Sequence, residues 1–408
     1  MQKLGGAVIP MPQNSNLTYV LGNEMVEKNM YGITALPIFS DEAISFLELL
    51  SKKILSDEES KKFPDVVTFG FWCRKSSVQK MAQPYKDNTC SLGRRIVFHI
   101  APSNVAVNFA YSCVAALLAG NASIIRLPSK SFRQVDIICR IFKQVIAEQP
   151  NMEGYFLFVR YGHDKAINDK YSFICDTRVI WGGDNTIDEL RKSPMKARAN
   201  EITFADRHSF TIIGADKYLE TENKDRIAQD FFNDTYLTDQ NACTSPRIVI
   251  WVGDNISQAK NIFWQKLYDY AKRKYELQPV QAVDKITNLY KMAAELNIDI
   301  KMVDTEDNLI TRVEVSALLD TLMDYKMNSG FFMEYIATDI KEVIPLCNSR
   351  CQTVSYYGIN AECIKNVVTE YRPQGVDRIV PLGRTMDFSL IWDGYDLIRT
   401  MSRVVGNE

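Results

Sequence analysis

Nine cysteines are spread through the 408 residues, at 73, 90, 113, 139, 175, 243, 347, 351 and 363. Cys243 stands apart because of its setting: Asp239-Gln-Asn-Ala-Cys243-Thr-Ser-Pro-Arg247 surrounds it with small and polar residues directly before the apolar run Ile248–Val252. A thiol in such a loop suits a nucleophile. An unperturbed cysteine titrates near about 8.5, so attack at neutral pH needs local electrostatics or pre-organised donors. Gln240, Asn241, Thr244 and Ser245 are candidate donors.

Two further groups carry possible chemistry. Ala101-Pro102-Ser103-Asn104 falls between a strand-like run and a helix, where α/β sheets present ligand loops. The Asn104 amide suits either a developing oxyanion or a cap for the following helix. Ile124-Ile-Arg126-Leu-Pro128-Ser129-Lys130-Ser-Phe-Arg133 is a strand end followed by a basic turn. In a dinucleotide site an acid at this place bonds the ribose 2′-hydroxyl and a base suits a 2′-phosphate; the other reading is a solvated helix start. Of the histidines 99, 163 and 208, His99 sits in an apolar run and reads as a satisfied core residue. His208, just before a strand, is a candidate to face the cleft. Cys347 and Cys351 read as two unrelated half-buried thiols, since no histidine lies near enough to complete a metal site.

The elements that must position these residues alternate. Arg95–Ile100 reads as a strand, 104–119 as a helix stopped by Gly120-Asn121, and 123–127 as the next strand. A helix over 132–148, apolar runs at 155–159 and 179–181, and a helix from Asn185 continue the pattern, which predicts a parallel sheet wrapped on both faces. Phe210–Ile213 is expected to close it, with a domain boundary near residue 214 and a second domain over 215–408. In that second domain a strand at 248–252 leads into a helix over 257–275, and the tail 392–405 packs back on the body or serves an oligomer contact.

Composition narrows the class. With 46% hydrophobic residues, 24% charged residues and a net charge of −2, the chain lacks the basic excess that nucleic-acid binding needs. The odd cysteine count without a C-x-x-C pair argues for reduced thiols in a cytosolic setting. The uncharged stretch 96–125 is broken by Pro102, Asn104, Asn108, Gly120 and Asn121, and its helical part falls short of the roughly 20 residues a span requires. The N-terminus has no signal-peptide core, so a cytoplasmic location is expected.

In order and spacing, Pro102-Ser-Asn104, Ala119-Gly120-Asn121, Arg126-Leu-Pro-Ser-Lys130 and Asn241-Ala-Cys243-Thr resemble the aldehyde dehydrogenase superfamily, and Gly182-Gly183 resembles its cofactor-abutting turn. Cys243-Thr-Ser-Pro-Arg247, Arg350-Cys-Gln352-Thr353-Val, Gly375-Val-Asp-Arg378-Ile-Val-Pro-Leu-Gly383 and Ile391-Trp-Asp393-Gly394-Tyr395-Asp396 are similar to the acyl-CoA reductase family of bacterial bioluminescence (LuxC). The likeness spans about residues 90 to 403. It implies an α/β chain with a Rossmann-type NADP(H)-binding domain over 1–214 and an α/β catalytic domain over 215–408. It also implies that activated long-chain fatty acyl groups are reduced to aldehydes, with Cys243 as nucleophile and Asn104 at the oxyanion. Pro102, Ser103, Arg126, Pro128, Ser129, Lys130, Gly182 and Gly183 would hold the cofactor.

The departures shape the expectation. The water-activating glutamate of the hydrolytic members has no counterpart in Thr203-Phe-Ala-Asp-Arg-His-Ser, and Glu201 reaches that role only through a register shift. Gly330-Phe-Phe resembles the family's glycine-tyrosine-phenylalanine run, but Ser349-Arg350-Cys-Gln stands where a ribose-binding glutamate is expected. Lys130 replaces an acid, which favours NADPH. The expected activity is acyl-CoA or acyl-protein thioester reduction, the donor being acyl-CoA or an acyl carrier or acyl-protein synthetase, in a homo-oligomer. An oxidative aldehyde dehydrogenase or an acyl-phosphate reductase is the alternative, and a binding member without turnover a further one.

Overall fold

The central strands are built from near-continuous runs of Ile, Val and Phe, the signature of parallel strands covered on both faces. A computed structural model describes residues 3–4, 7–8, 17–86, 90–102, 105–303, 307–325 and 328–406. The chain divides into two compact units, residues 1–205 with 389–408, and residues 206–388.

In the first unit, β1 (Lys3–Leu4) and β2 (Ala7–Val8) form a short antiparallel pair. A six-stranded sheet follows from β3 (Thr18–Leu21), β5 (Ile96–Ile100), β6 (Ala122–Arg126), β7 (Phe156–Arg160), β8 (Thr177–Trp181) and β9 (Asn200–Phe204), while β4 (Cys90–Gly93) lies outside it. Its order is β3-β7-β6-β5-β8-β9, parallel throughout except for β3 on the edge. Successive strands run outward from β5 to β7 on one side and then from β8 to β9 on the other. The order therefore reverses between β5 and β8, which is where open α/β sheets bind ligands.

Every residue of β5 and β8 is buried, and the helix Asn108–Leu118 covers the sheet with an almost wholly apolar surface. Gly120 ends that helix at φ +86, where a Cβ would stand 2.1 Å from the Leu36 carbonyl oxygen, so no other residue fits the turn into β6. Asn121 then ties three segments. Its Oδ1 accepts from the Arg95 amide at 3.0 Å, and its Nδ2 donates to the carbonyls of Ala116 at 3.2 Å and Met401 at 3.0 Å. His99 is buried between Ser112 (2.8 Å) and Ser123 (3.2 Å), and burial pushes it down to about 3, as a satisfied core histidine should be.

The second unit holds a seven-stranded sheet made of β10 (His208–Gly214), β11 (Pro246–Val252), β12 (Ile300–Val303), β13 (Thr311–Val315), β14 (Phe331–Ile336), β15 (Cys351–Tyr357) and β16 (Arg378–Pro381). The order is β12-β13-β14-β11-β10-β15-β16, with only β12 antiparallel. Successive residues of β11 feed opposite faces: Ile248 and Ile250 join one core, Val249 and Trp251 the other. The chain then returns to the first unit through β17 (Ile391–Trp392), β18 (Tyr395–Asp396), the helix Leu397–Met401 and β19 (Ser402–Val405), which pairs with β4.

Two expectations are corrected here. The run Phe210–Ile213 does not close the first sheet: β10 lies between β11 and β15 in the second, so the division falls at 205/206. The strand that does close the first sheet is β9, an edge strand whose alternating burial gives a weaker apolar signal than β10. Residues 389–408 leave the expected second domain and belong to the first unit, held by Asn121 to Met401 and by Asn200 Nδ2 to the Thr400 carbonyl at 2.8 Å.

One ionic network is buried in the second core. Glu334, 1% exposed, accepts from the indoles of Trp251 at 2.9 Å and Trp264 at 2.8 Å and from Arg312 Nε at 2.8 Å. Lys260 lies 3.4 Å from it and 2.5 Å from Glu314. Removing one member of such a network leaves buried charge without compensation. Glu334→Ala is expected to cost about 3–5 kcal/mol in urea unfolding; a loss under about 1 kcal/mol would show the network to be dispensable.

Candidate functional site

The loop that carries Cys243 is held by one side-chain amide. Asp239 and Gln240 both take left-handed backbone conformations, at φ +55 and +53, and this tight reversal turns Gln240 into the protein. Fully buried, it donates through Nε2 to the carbonyls of Pro246 and Phe331, each at 3.2 Å, and accepts through Oε1 from the amides of Gly330 at 2.7 Å and Phe331 at 3.2 Å. The amide thus acts as an extra rung joining the starts of β11 and β14.

Ser209 supplies the second hold. Its hydroxyl donates to the Cys243 carbonyl at 2.7 Å and accepts from the Thr353 amide at 3.2 Å, so β10 and β15 fix the loop's backbone at Cys243. Around it, Ser245 Oγ shares a hydrogen bond with Thr238 Oγ1 at 3.2 Å, and Thr244 Oγ1 donates to Met386 Sδ at 3.2 Å. Met386 belongs to a loop pinned by buried Asp234, which accepts from the Gly383 amide at 2.6 Å and from the Thr385 amide and hydroxyl at 3.1 and 2.9 Å.

Of the four candidate donors, Gln240 is therefore spent on backbone, Thr244 on Met386 and Ser245 on Thr238. Asn241 is exposed, its side-chain Oδ1 accepting from Asn328 Nδ2 at 2.7 Å. Cys243 itself is half-buried. Six of the other cysteines are buried; burial pushes Cys139 and Cys175 up to about 12 and Cys113 higher still, which suits small apolar residues and not nucleophiles. Cys347 and Cys351, expected to be unrelated, share a hydrogen bond that holds the Cys351 thiol well above its ordinary value, with burial adding to the effect.

His208 does not face a cleft. It is 2% exposed, its Nε2 lies 3.1 Å from the Leu346 carbonyl, and burial pushes it down to about 4. Glu201 is likewise committed: Oε2 accepts from Arg178 Nε at 2.8 Å and Oε1 from Arg191 Nε at 2.8 Å, across the β8–β9 pair and the adjoining helix.

The residues expected to meet a dinucleotide gather at one edge of the first sheet. Pro102 follows β5, Arg126 ends β6, and Gly182-Gly183 follow β8, so all lie at the carboxyl ends of three adjacent strands where the order reverses. Ser103 and Asn104 fall outside the described residues. Gly183 caps the helix Asp184–Arg191, its carbonyl accepting from Thr186 at 2.8 Å, and a Cβ on Gly182 would meet Thr186 at 3.0 Å. Arg126 donates through Nη2 to the Gly162 carbonyl at 3.0 Å and lies 4.8 Å over the Tyr161 ring. Pro128 is buried, while Ser129 and Lys130 are exposed. A glycine turn at the switch point and exposed positive charge beyond β6 fit an anionic dinucleotide, and Lys130 suits a 2′-phosphate.

Sequence reasoning missed Ser209, since its link to Cys243 is made by strand pairing across 34 positions. The Gln240 rung has a measurable consequence. Gln240→Ala removes the Gly330 amide's partner, one of the two acceptors of the Phe331 amide, and one donor each from the Pro246 and Phe331 carbonyls, so a stability loss of about 2–4 kcal/mol is expected, with faster amide exchange at Gly330. Unchanged exchange at the Gly330 amide would contradict the assigned role.

The chain matches the family described as Acyl-CoA reductase (LuxC) over residues 76–404. It is 24% identical over 372 residues to a long-chain acyl-protein thioester reductase of Aliivibrio fischeri, covering 88% of this chain and 72% of that protein. The Vibrio harveyi protein of the same description is 21% identical over 310 residues, covering 75% and 62%; the chain thus spans less than two thirds of that relative. Among solved structures, aldehyde dehydrogenase 21 from Physcomitrella patens superposes with a TM-score of 0.63 at 10% identity, over 93% of this chain and 88% of that one. A lactaldehyde dehydrogenase gives 0.62 at 13%, over 94% and 89%. The fold is that of the aldehyde dehydrogenases, a Rossmann-like sheet with a second α/β domain, and the chain belongs to the acyl-CoA reductase (LuxC) family.

Proposed function

We propose that the protein reduces long-chain acyl thioesters, carried on coenzyme A or on a protein, to aldehydes with NADPH, the first unit binding the cofactor and the second supplying the nucleophile. The Cys243 sulfur attacks the acyl carbonyl, the bond to the donor's sulfur breaks, and the donor leaves as a thiol after taking a proton. NADPH, when bound, supplies the hydride that reduces the resulting thioester. Cys243 is then released as the carbon–sulfur bond breaks, and the carbonyl of the aldehyde re-forms. The thioester divides one hard displacement into two easier steps. Asn104 and the Cys243 amide are assigned to the oxyanion, where each donor contributes about 3 kcal/mol in comparable sites.

The observation that carries the reductive direction is the fate of Glu201. Hydrolysis of the acyl-enzyme needs a base that activates water, and both Glu201 oxygens already accept from arginines, Arg178 of β8 and Arg191 at the end of the adjoining helix. The family match and the printed descriptions of the two bacterial relatives support the same direction. Pro102, Ser103, Arg126, Pro128, Ser129, Lys130, Gly182 and Gly183 are assigned to NADPH. Among the described residues no helix is long and apolar enough to cross a membrane.

Incubation with a long-chain acyl-CoA is expected to add one acyl mass to the protein at Cys243, and NADPH is then expected to release aldehyde. Cys243→Ala should lose both by about three orders of magnitude or more. Acylation that persists in this variant, or free acid as the main product, would overturn the proposal.

Lys130→Glu places an acid where a 2′-phosphate is expected. The preference for NADPH over NADH should fall about tenfold or more in kcat/KM, a change of about 1.4 kcal/mol. An unchanged ratio would remove Lys130 from the cofactor site.

A further inference from the structure

We propose that Ser209 positions Cys243 for acyl transfer, by holding the peptide bond that follows the thiol in one direction. The inference rests on the reading of Cys243 as acyl carrier.

Ser209 is fully buried as the second residue of β10, and the sheet is irregular there on both sides. It faces Pro246 on β11 while Phe210 faces Ile248, so Arg247 is an extra residue. On β15, His208 faces Cys351 while Ser209 faces Thr353, so Gln352 is another. From Phe210 to Ile213 both ladders then run without a break. An extra residue interrupts the regular exchange of backbone bonds and re-aims the groups beside it. Two such interruptions, on the two neighbours of one strand, meet at Ser209.

The hydroxyl bridges them. The Thr353 amide donates to it at 3.2 Å, and it donates to the Cys243 carbonyl at 2.7 Å. The sense of this relay is fixed, because an amide N–H only donates and a carbonyl oxygen only accepts. The hydroxyl proton therefore lies toward Cys243.

Cys243 and Thr244 are the central residues of a turn closed by the Ser245 amide on the Ala242 carbonyl at 3.0 Å. Such a turn has one hinge, its central peptide, whose two directions distinguish type I from type II. Here that peptide joins Cys243 to Thr244. It is trans, so its N–H points opposite to its carbonyl. With the carbonyl drawn to Ser209, the Thr244 amide faces away from β10. Type II needs a positive φ at Thr244, which Thr244 does not adopt. Ser209 thus holds the hinge beside the sulfur, acting through the Cys243 backbone and not on substrate.

In acyl transfer the Cys243 sulfur bonds the acyl carbon, the bond from that carbon to the coenzyme A sulfur breaks, and coenzyme A leaves as a thiol with the proton that Cys243 gives up. Negative charge gathers on the acyl oxygen midway, so the step depends on where the backbone donors beside the sulfur are aimed. Alkylation by iodoacetamide displaces iodide from a saturated carbon and has no oxyanion to hold. The two reactions separate orientation from thiol reactivity.

The test compares them in Ser209→Ala. Single-turnover transfer from a long-chain acyl-CoA, read by intact mass, should slow about ten- to hundredfold at saturating acyl-CoA, with the half-saturating concentration little changed. Alkylation of Cys243, read by peptide mass with exposed Cys90 and Cys363 as internal references, should change by less than about threefold. Ser209→Thr keeps the hydroxyl and should recover most of the transfer rate. Unchanged transfer in Ser209→Ala, an equal loss of alkylation, or a folded Ser209→Thr as slow as Ser209→Ala overturns the proposal. Ser209→Cys is close in size but a much weaker donor. Its transfer rate should fall between wild type and Ser209→Ala; it carries the test if Ser209→Ala does not fold, and wild-type transfer in it overturns the proposal. A wild-type protein that alkylates at Cys243 but takes no acyl group refutes Cys243 as acyl carrier and this role with it, whereas normal acylation of both wild type and Ser209→Ala refutes the role of Ser209 alone.

Discussion

The side-chain amide of Gln240 is the constraint on which the second unit's chemistry depends. Parallel strands begin at one level of a sheet, and the loops entering them need partners for backbone groups that the ladder does not yet reach. Gln240 provides two donors and two acceptor contacts at that level, between β11 and β14. Two successive left-handed residues, Asp239 and Gln240, are needed to turn it inward. Such conformations cost of order 1–3 kcal/mol each for non-glycine residues, and the four hydrogen bonds offset that cost. What remains is a loop with a fixed backbone and a half-buried thiol.

The same sheet level sorts charge. At the starts of β10, β11 and β15 three guanidiniums stand within one cationic region, and two of them are paired with aspartates. Elsewhere in the unit, Glu334 gathers two indoles, an arginine and a lysine into a network. Glu334 is thus surrounded by partners, whereas buried Arg247 donates to the Met323 carbonyl and leaves its Nε without a partner among the described residues.

Much of this was legible in the chain, for identifiable reasons. β5, β6, β7 and β8 are short apolar runs separated by helical patterns, so the parallel sheet follows from periodicity. The small and polar residues around Cys243 match the turns found there. The errors arise where local pattern carries no information. β10 is as apolar as the strands before it, and only its pairing with β11 and β15 assigns it to the second sheet. The tail returns to the first unit through single hydrogen bonds from Asn121 and Asn200 that no periodicity encodes. Gln240 and Ser209 reversed their expected importance. The Gln240 amide is structural, and the serine nobody would choose from its neighbours holds the Cys243 backbone.

The distribution of bases across the chain then bears on what becomes of an acylated cysteine. A thioester is destroyed by water only as fast as a base can activate that water. In the described part of the second unit the one histidine is buried and held neutral by its surroundings. Asp377 is paired with Arg207 and Asp324 with Arg350, while Asp234 spends its oxygens on Gly383 and Thr385. Glu201, on the first sheet, is held by two arginines. These carboxylates and this imidazole are thus tied into hydrogen bonds and ion pairs. Under the proposed reaction, groups so committed offer little to activate water, and that favours retention of an acyl group over its hydrolysis.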